Sequence, residues 1–270
     1  MKNRRISAPS LAWAVALGIG GLPLAEAAAA PDARSIMDKV ATTRQLDGSE
    51  AVIRMVTVDA DGQKRERELS MATKLFEGGK VEKRIYHFNA PADVKGTGIL
   101  VFDNAERSDD IWVFLPALRK TRKIASAQQA SSFMGSEFSY GDLNVPALDD
   151  FTYQLAPEET LAGEACYVVE AVPAKPEVAQ AEGYSKKVYW VSKAKSVVMR
   201  GRYFDAGGKL IKELTTQDVV LLDKAKQRYR ARTMLMVNKL NNRQSTFETV
   251  KLVFSPDVKD EYFTKRYLER

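Results

Sequence analysis

Side chains able to do chemistry are scarce in this sequence. Its 270 residues include one histidine, His87, and one cysteine, Cys166. Ordinary zinc and copper sites draw on several such ligands, so a metal centre of that kind is excluded. The pair Asp59-x-Asp61 offers too few oxygens for an EF-type calcium loop. Ser139, within Glu137-Phe138-Ser139-Tyr140-Gly141, has half of a nucleophile elbow. Glu137 replaces the first glycine of that motif, and the single histidine precedes the serine where a hydrolase of this type places it after. Asp109-Asp110 and Asp149-Asp150 each abut a predicted strand, where neighbouring side chains point to opposite faces. Neither pair therefore presents two carboxylates to one substrate. P-loop and dinucleotide fingerprints do not occur. The chain reads as a non-enzyme with no catalytic residue, metal or cofactor. His87 is expected as a strand histidine and Cys166 as a buried packing residue.

Apolar residues are the more informative set. Ile111–Leu115, Val219–Leu222 and Met234–Val237 are runs apolar on both strand faces. Met55, Met71, Met199, Met234 and Met236 fall in predicted strands, although methionine is not a favoured β residue. Flexible thioethers suit a pocket for variable greasy chains, and they also fill gaps in an ordinary core. Met55, Met71, Trp112, Phe114, Met199, Met234 and Met236 are the candidates to line a ligand cavity. A pocket of roughly 300 to 1,000 Å³ would hold one or two acyl chains. No acidic residue lies between Asp110 and Glu137, while Arg119, Lys120, Arg122 and Lys123 cluster there. This run is either a solvated turn or a contact for anionic headgroups or an acidic partner.

The elements that must position these groups are mostly strands. A helix is expected from about Asp32 to Leu46, N-capped by Asp32 after Pro31. Alternating segments follow at hairpin spacing, with turns at Asp61-Gly62, Ala206-Gly207-Gly208 and Leu240-Asn241-Asn242. Without intervening helices they form an antiparallel meander, and a sheet of about eleven strands must curl. A short helix from about Asp260 closes the chain. The stretch 116–148 breaks the alternation and reads as an insertion or lid over the sheet, with Phe133, Met134, Phe138 and Tyr140 as lid residues.

Residues 1–27 read as a signal peptide. Lys2, Arg4 and Arg5 precede an apolar run to Ala25, and Ala25-Glu26-Ala27 is a small-x-small cleavage pattern. The run is broken by Gly18, Gly20, Gly21 and Pro23 and falls short of the roughly twenty residues that span a bilayer. Removing it lowers the formal charge of +6 by two, which leaves little basic excess for nucleic acid. Residues 28–270 are expected to be one periplasmic domain, soluble after cleavage and stabilised by its core without disulfides.

Several ordered motifs carry a resemblance. Phe88-Asn89-Ala90-Pro91, Lys95-Gly96-Thr97-Gly98, the run Asp109 to Lys120 and the run Phe133 to Leu143 resemble the outer-membrane lipoprotein-sorting protein family, whose members have a LolA-like fold. That resemblance spans roughly Phe76 to Phe254. It implies a strongly curved, unclosed antiparallel β-barrel with helices and loops plugging its concave face. It also implies carriage of a lipid or acylated protein, with transient membrane contact and a neighbouring RND-type permease. A non-transporting accessory subunit of such a permease, sensing envelope lipids, is the alternative. The motif-rich insertion resembles the branch found beside large lipid exporters, which makes a free lipid as good a cargo as an acylated protein.

Overall fold

The computed structural model describes residues 31–105, 107–144 and 147–270. The expected signal peptide lies outside the described residues. Helix α1 spans Ala33–Arg44, and the Asp32 side chain caps it by accepting the Ser35 N–H at 2.8 Å. Its Ile36, Met37 and Val40 are buried, at the spacing of a single helix face.

The rest is one antiparallel sheet of thirteen strands. These are β1 (Gly48–Val58), β2 (Lys64–Phe76), β3 (Val81–Ala90), β4 (Gly98–Asn104), β5 (Asp110–Leu115), β6 (Lys120–Ile124), β7 (Phe151–Leu161), β8 (Glu164–Pro173), β9 (Lys186–Ser192), β10 (Val198–Phe204), β11 (Leu210–Asp223), β12 (Arg228–Asn238) and β13 (Gln244–Phe254). The three turns expected from sequence join β1 to β2, β10 to β11 and β12 to β13. Gly62 in the first has φ 80°, a conformation glycine adopts without steric cost.

The strand order is β6-β5-β4-β3-β2-β1-β13-β12-β11-β10-β9-β8-β7. Two meanders thus run outward from the β1–β13 pair, and the strands consecutive in sequence, β6 and β7, are the two outer edges. The segment between them runs from one edge of the sheet to the other without closing the hydrogen-bonded ladder. Such a connection needs the sheet to curl, and α1 packs on both β7 and β12 inside that curl.

Alternation sorts each strand between two faces. The inner face carries the main core, including Ile53, Leu69, Phe88, Ile99, Val113, Tyr189 and Met236. Two smaller clusters cover the outer face. Ala72, Ile85 and Leu100 pack beneath Phe263 and Leu268, the latter in α3 (Lys265–Leu268), which accounts for strands apolar on both sides. Cys166, Val168, Val188 and Trp190 form the other. Cys166 is a buried packing residue, as expected.

The stretch 116–148 differs from an irregular insertion in its first part. Lys120–Ile124 is a strand paired with β5, after a turn in which Arg119 takes φ 46°. An edge strand needs only one partner, so it carries few of the apolar residues that mark a central one. A second helix, α2 (Pro176–Glu182), was not expected; Pro176 in its first turn and left-handed Gly183 after it were its signals.

Candidate binding cavity

A cavity of about 220 Å³ lies between α1, the inner face and the edge-to-edge segment. Its apolar wall draws on Met37 and Val40 of α1, Ile53 of β1, Met71 of β2, Leu214 of β11, Met234 and Met236 of β12, and Phe247 of β13. Side chains from strands at distant places in the sheet order meet around one space because the sheet is curled.

Of the seven lining candidates, Met71, Met234 and Met236 border this cavity. Met55 faces the same way but is packed into the core, 1% exposed. Trp112 and Phe114 are on the opposite face. In β5 it is Ile111, Val113 and Leu115 that turn inward, and Trp112 packs edge-on against Phe102 at 4.9 Å, with Lys265 over its ring. Met199 also faces outward, beside Trp190 and Phe204. These corrections share one cause: a strand apolar on both faces does not reveal which face is inside until its cover is known.

The lid residues form a plug. Phe133, Phe138 and Tyr140 are buried in the inner core, and Phe138 meets Phe247 edge-on at 4.7 Å. Phe133 contacts Tyr86, Tyr140 and Phe247 with ring centroids at 5.4 to 5.8 Å. Met134, at φ 50°, is half-buried, and Arg67 donates to its carbonyl. The backbone N–H of Glu137 donates to Ser245 Oγ at 2.9 Å, and its carboxylate accepts from Asn238 at 2.8 Å and pairs with Arg243 at 3.1 Å.

Charge enters the cavity at defined places. Arg84 of β3 is buried, donating to Asp103 at 2.6 Å, to Asn144 Oδ1 at 2.9 Å and to the Leu143 carbonyl, and pairing with Glu82 at 3.3 Å. Burial opposes its charge, but Tyr86, Asp103 and Glu82 outweigh that and hold its pKa above the ordinary value. Lys187 of β9 is buried against Glu182 of α2, with Phe151, Tyr184 and Tyr203 rings around it. Asp142 accepts from the Ser139 N–H at 2.8 Å and the Tyr184 hydroxyl at 3.0 Å. The sequence reading missed all of these, and Arg230 of β12, another cavity residue. The alternating run Arg228, Arg230, Arg232, Met234, Met236 was the available signal for the last.

Ser139 is buried, and its hydroxyl accepts the Asp142 N–H at 3.0 Å. His87 belongs to the other face of β3, stacked edge-on with Tyr267 at 5.6 Å. The two do not form a nucleophile–base pair. An outer groove of about 310 Å³ runs past His87, Tyr262 and Tyr267. Among the described residues no group of three or more His, Cys, Asp or Glu is arranged to hold a metal ion, and no helix is long and apolar enough to cross a membrane.

The basic residues Arg119, Lys120, Arg122 and Lys123 are exposed on the β5–β6 turn and the edge strand. Lys123 pairs with Asp110 at 2.6 Å.

A family model described as "Uncharacterized protein" matches residues 80–270. The chain belongs to that family. Among solved structures, an outer membrane lipoprotein-sorting protein domain from Vibrio parahaemolyticus is 27% identical with a TM-score of 0.80, over 88% of this chain and 98% of that one. A DUF1329 family protein from Desulfovibrio piger has the same identity and TM-score, over 87% of this chain and 97% of the other. A LolA superfamily protein from Nitrosomonas europaea is 21% identical with a TM-score of 0.67, over 88% and 100%, and shows the fold. The chain thus has the LolA-like fold that its motifs resemble. Comparison with the curated proteins finds no match.

Proposed function

We propose that this protein is a periplasmic carrier that binds a lipid or an acylated, hydrophobic cargo in the inner cavity. It passes that cargo between an inner-membrane transporter of the RND type and the outer membrane, and no bond is made or broken. The observation that carries the reading is the apolar cavity enclosed by α1, the curled sheet and the aromatic plug, with four flexible methionines on its wall. The likeness to a lipoprotein-sorting domain over nearly its whole length supports it.

At about 220 Å³ the cavity is smaller than the pockets of roughly 300 to 1,000 Å³ that hold whole small ligands. Cargo would gain further room from rotation of Met71, Met234 and Met236 and from displacement of Phe138. Each methylene transferred from water gains about 0.8 kcal/mol, so part of one chain offsets that rearrangement. Arg119, Lys120, Arg122 and Lys123 would meet membrane headgroups or the permease.

Native mass spectrometry of protein purified from the periplasm, followed by lipid extraction, tests the proposal. The expected result is a bound hydrophobic molecule released by organic solvent. Protein that is uniformly empty and takes up no fluorescent fatty acid would overturn it.

A further inference from the structure

The inner face of β12 is polarised along its length. Arg228 and Arg230 lie toward one end and Met234 and Met236 continue the same alternation toward the other, while Arg232 between them is exposed and does not border the cavity. Arg230, Met234 and Met236 all border the cavity. From Arg230 to Met236 is six residues, or about 20 Å at the usual strand rise, the length of an extended acyl chain of about sixteen carbons.

Six charged residues border the cavity: Arg44, Arg84, Lys187 and Arg230 against Glu82 and Asp142. Each carboxylate is engaged through one oxygen, Glu82 Oε1 by Arg84 and Asp142 Oδ2 by the Ser139 N–H and the Tyr184 hydroxyl, which leaves Glu82 Oε2 and Asp142 Oδ1 without a hydrogen bond and the four cations still in excess. Lys187 is neutralised by Glu182. Among the described residues, Arg44 donates only to the carbonyls of Leu143 and Asn144, both at 3.3 Å. Among the described residues, Arg230 has neither an ion pair nor a hydrogen bond. It retains intermediate exposure, and the surface it keeps borders the cavity. Burial lowers its pKa to about 10; Glu82 works in the opposite direction, while Arg44 and Arg84 lower it further. A guanidinium held in this way costs folding energy unless something compensates it, and it is suited to a carboxylate or phosphate by its planar fork of donors.

We infer that the cargo is an amphiphile with one anionic group, a carboxylate or phosphate, held by Arg230 beside Arg44 while its acyl chain runs along Met234 and Met236. The inference rests on the carrier reading and specifies the chemical class of its ligand. An uncharged lipid would cover the remaining exposed surface of Arg230 without compensating its charge, so the site discriminates by charge as well as by greasiness.

The test compares three ligands of equal chain length on the delipidated protein: hexadecanoate, 1-palmitoyl-glycerol 3-phosphate and hexadecanol, each by displacement of a fluorescent fatty alcohol. At least one anion is expected to bind 10-fold or more tightly than the alcohol, and which anion wins separates a fatty acid from a phospholipid source. Arg230→Met should remove that preference, and Arg230→Lys should restore part of it. The unliganded Arg230→Met protein should melt at or above the parent temperature, since an uncompensated charge has been removed. Equal binding of alcohol and both anions by the parent protein would overturn the anion site while leaving the carrier reading standing, even if no variant folds. Failure of all three ligands and of the fluorescent alcohol to bind would overturn the carrier reading and this inference with it.

Discussion

Asn144 Nδ2 donates a 2.6 Å hydrogen bond to Asp109 Oδ2, tying the edge-to-edge segment to the loop that enters β5. Asp109 also accepts the Asn104 N–H at 2.9 Å and lies near Arg84 and Asp103. Burial, with the Asp103 charge beside it, pushes the Asp109 carboxyl up to about 7; Asn104, Arg84 and Asn144 act against that rise. The attachment of the plug to the sheet is therefore coupled to a proton.

The sign of the coupling follows from linkage. A carboxyl raised in the folded state holds a proton that the unfolded chain releases near pH 4, so its stabilising contribution is complete below about 4 and is lost as pH rises through about 7. Thermal melts should show this contribution to stability falling between about pH 4 and 7, and Asp109→Asn should flatten that slope. An unchanged slope in the variant would remove Asp109 as its source.

Arg84 is the hub of the same network. Arg84→Met leaves Glu82 and Asp103 buried without their guanidinium and strips the Leu143 carbonyl and Asn144 Oδ1 of a donor. Breaking a buried pair in this way costs about 3 to 5 kcal/mol. Urea unfolding should report a loss of that size, with hydrogen exchange in residues 129–144 rising more than in β9 or β10.

The sequence made some of this arrangement legible and hid the rest for physical reasons. Asp32 and the turn residues act locally, so the α1 cap and three hairpins could be read directly. Met234 and Met236 border the cavity, whereas Trp112 and Phe114, which look equally suitable in sequence, do not. What separates them is α3, more than 140 residues downstream in chain order, which covers the outer face of β5. Arg84 and Lys187 were invisible because a cation within a strand ordinarily points to solvent. The burial of both depends on partners from α2, β4 and the edge-to-edge segment that only the folded topology brings near.

Phe138 offers a direct trade between stability and binding. It is 2% exposed, packs on Phe247 and borders the cavity. Phe138→Ala should cost about 3 to 5 kcal/mol, the usual loss for deleting a buried aromatic ring, and enlarge the space left for cargo. A solvatochromic fatty-acid probe should therefore bind the variant at least as tightly as the parent despite a lower melting temperature. Weaker binding together with unchanged stability would show that Phe138 is not part of the plug.

The basic edge can be separated from folding by charge reversal. Lys123 makes an ion pair with Asp110 on a largely exposed side chain, and such pairs contribute only about 0 to 1 kcal/mol. Leu118, 52% exposed at the tip of the same turn, adds an apolar contact between the charges and any surface they approach. Replacing Arg119, Lys120, Arg122 and Lys123 together by glutamate should therefore leave the melting temperature nearly unchanged. Sedimentation with phosphatidylglycerol-containing vesicles should fall steeply for the variant at low salt, since each basic residue near an anionic surface contributes about 1 kcal/mol. Raising the salt should erase the difference between the two proteins, because the Debye length shrinks to about 3 Å at 1 M. Equal vesicle binding at low salt would leave these residues as guards of an edge strand, where lysine and arginine deter pairing with a second chain.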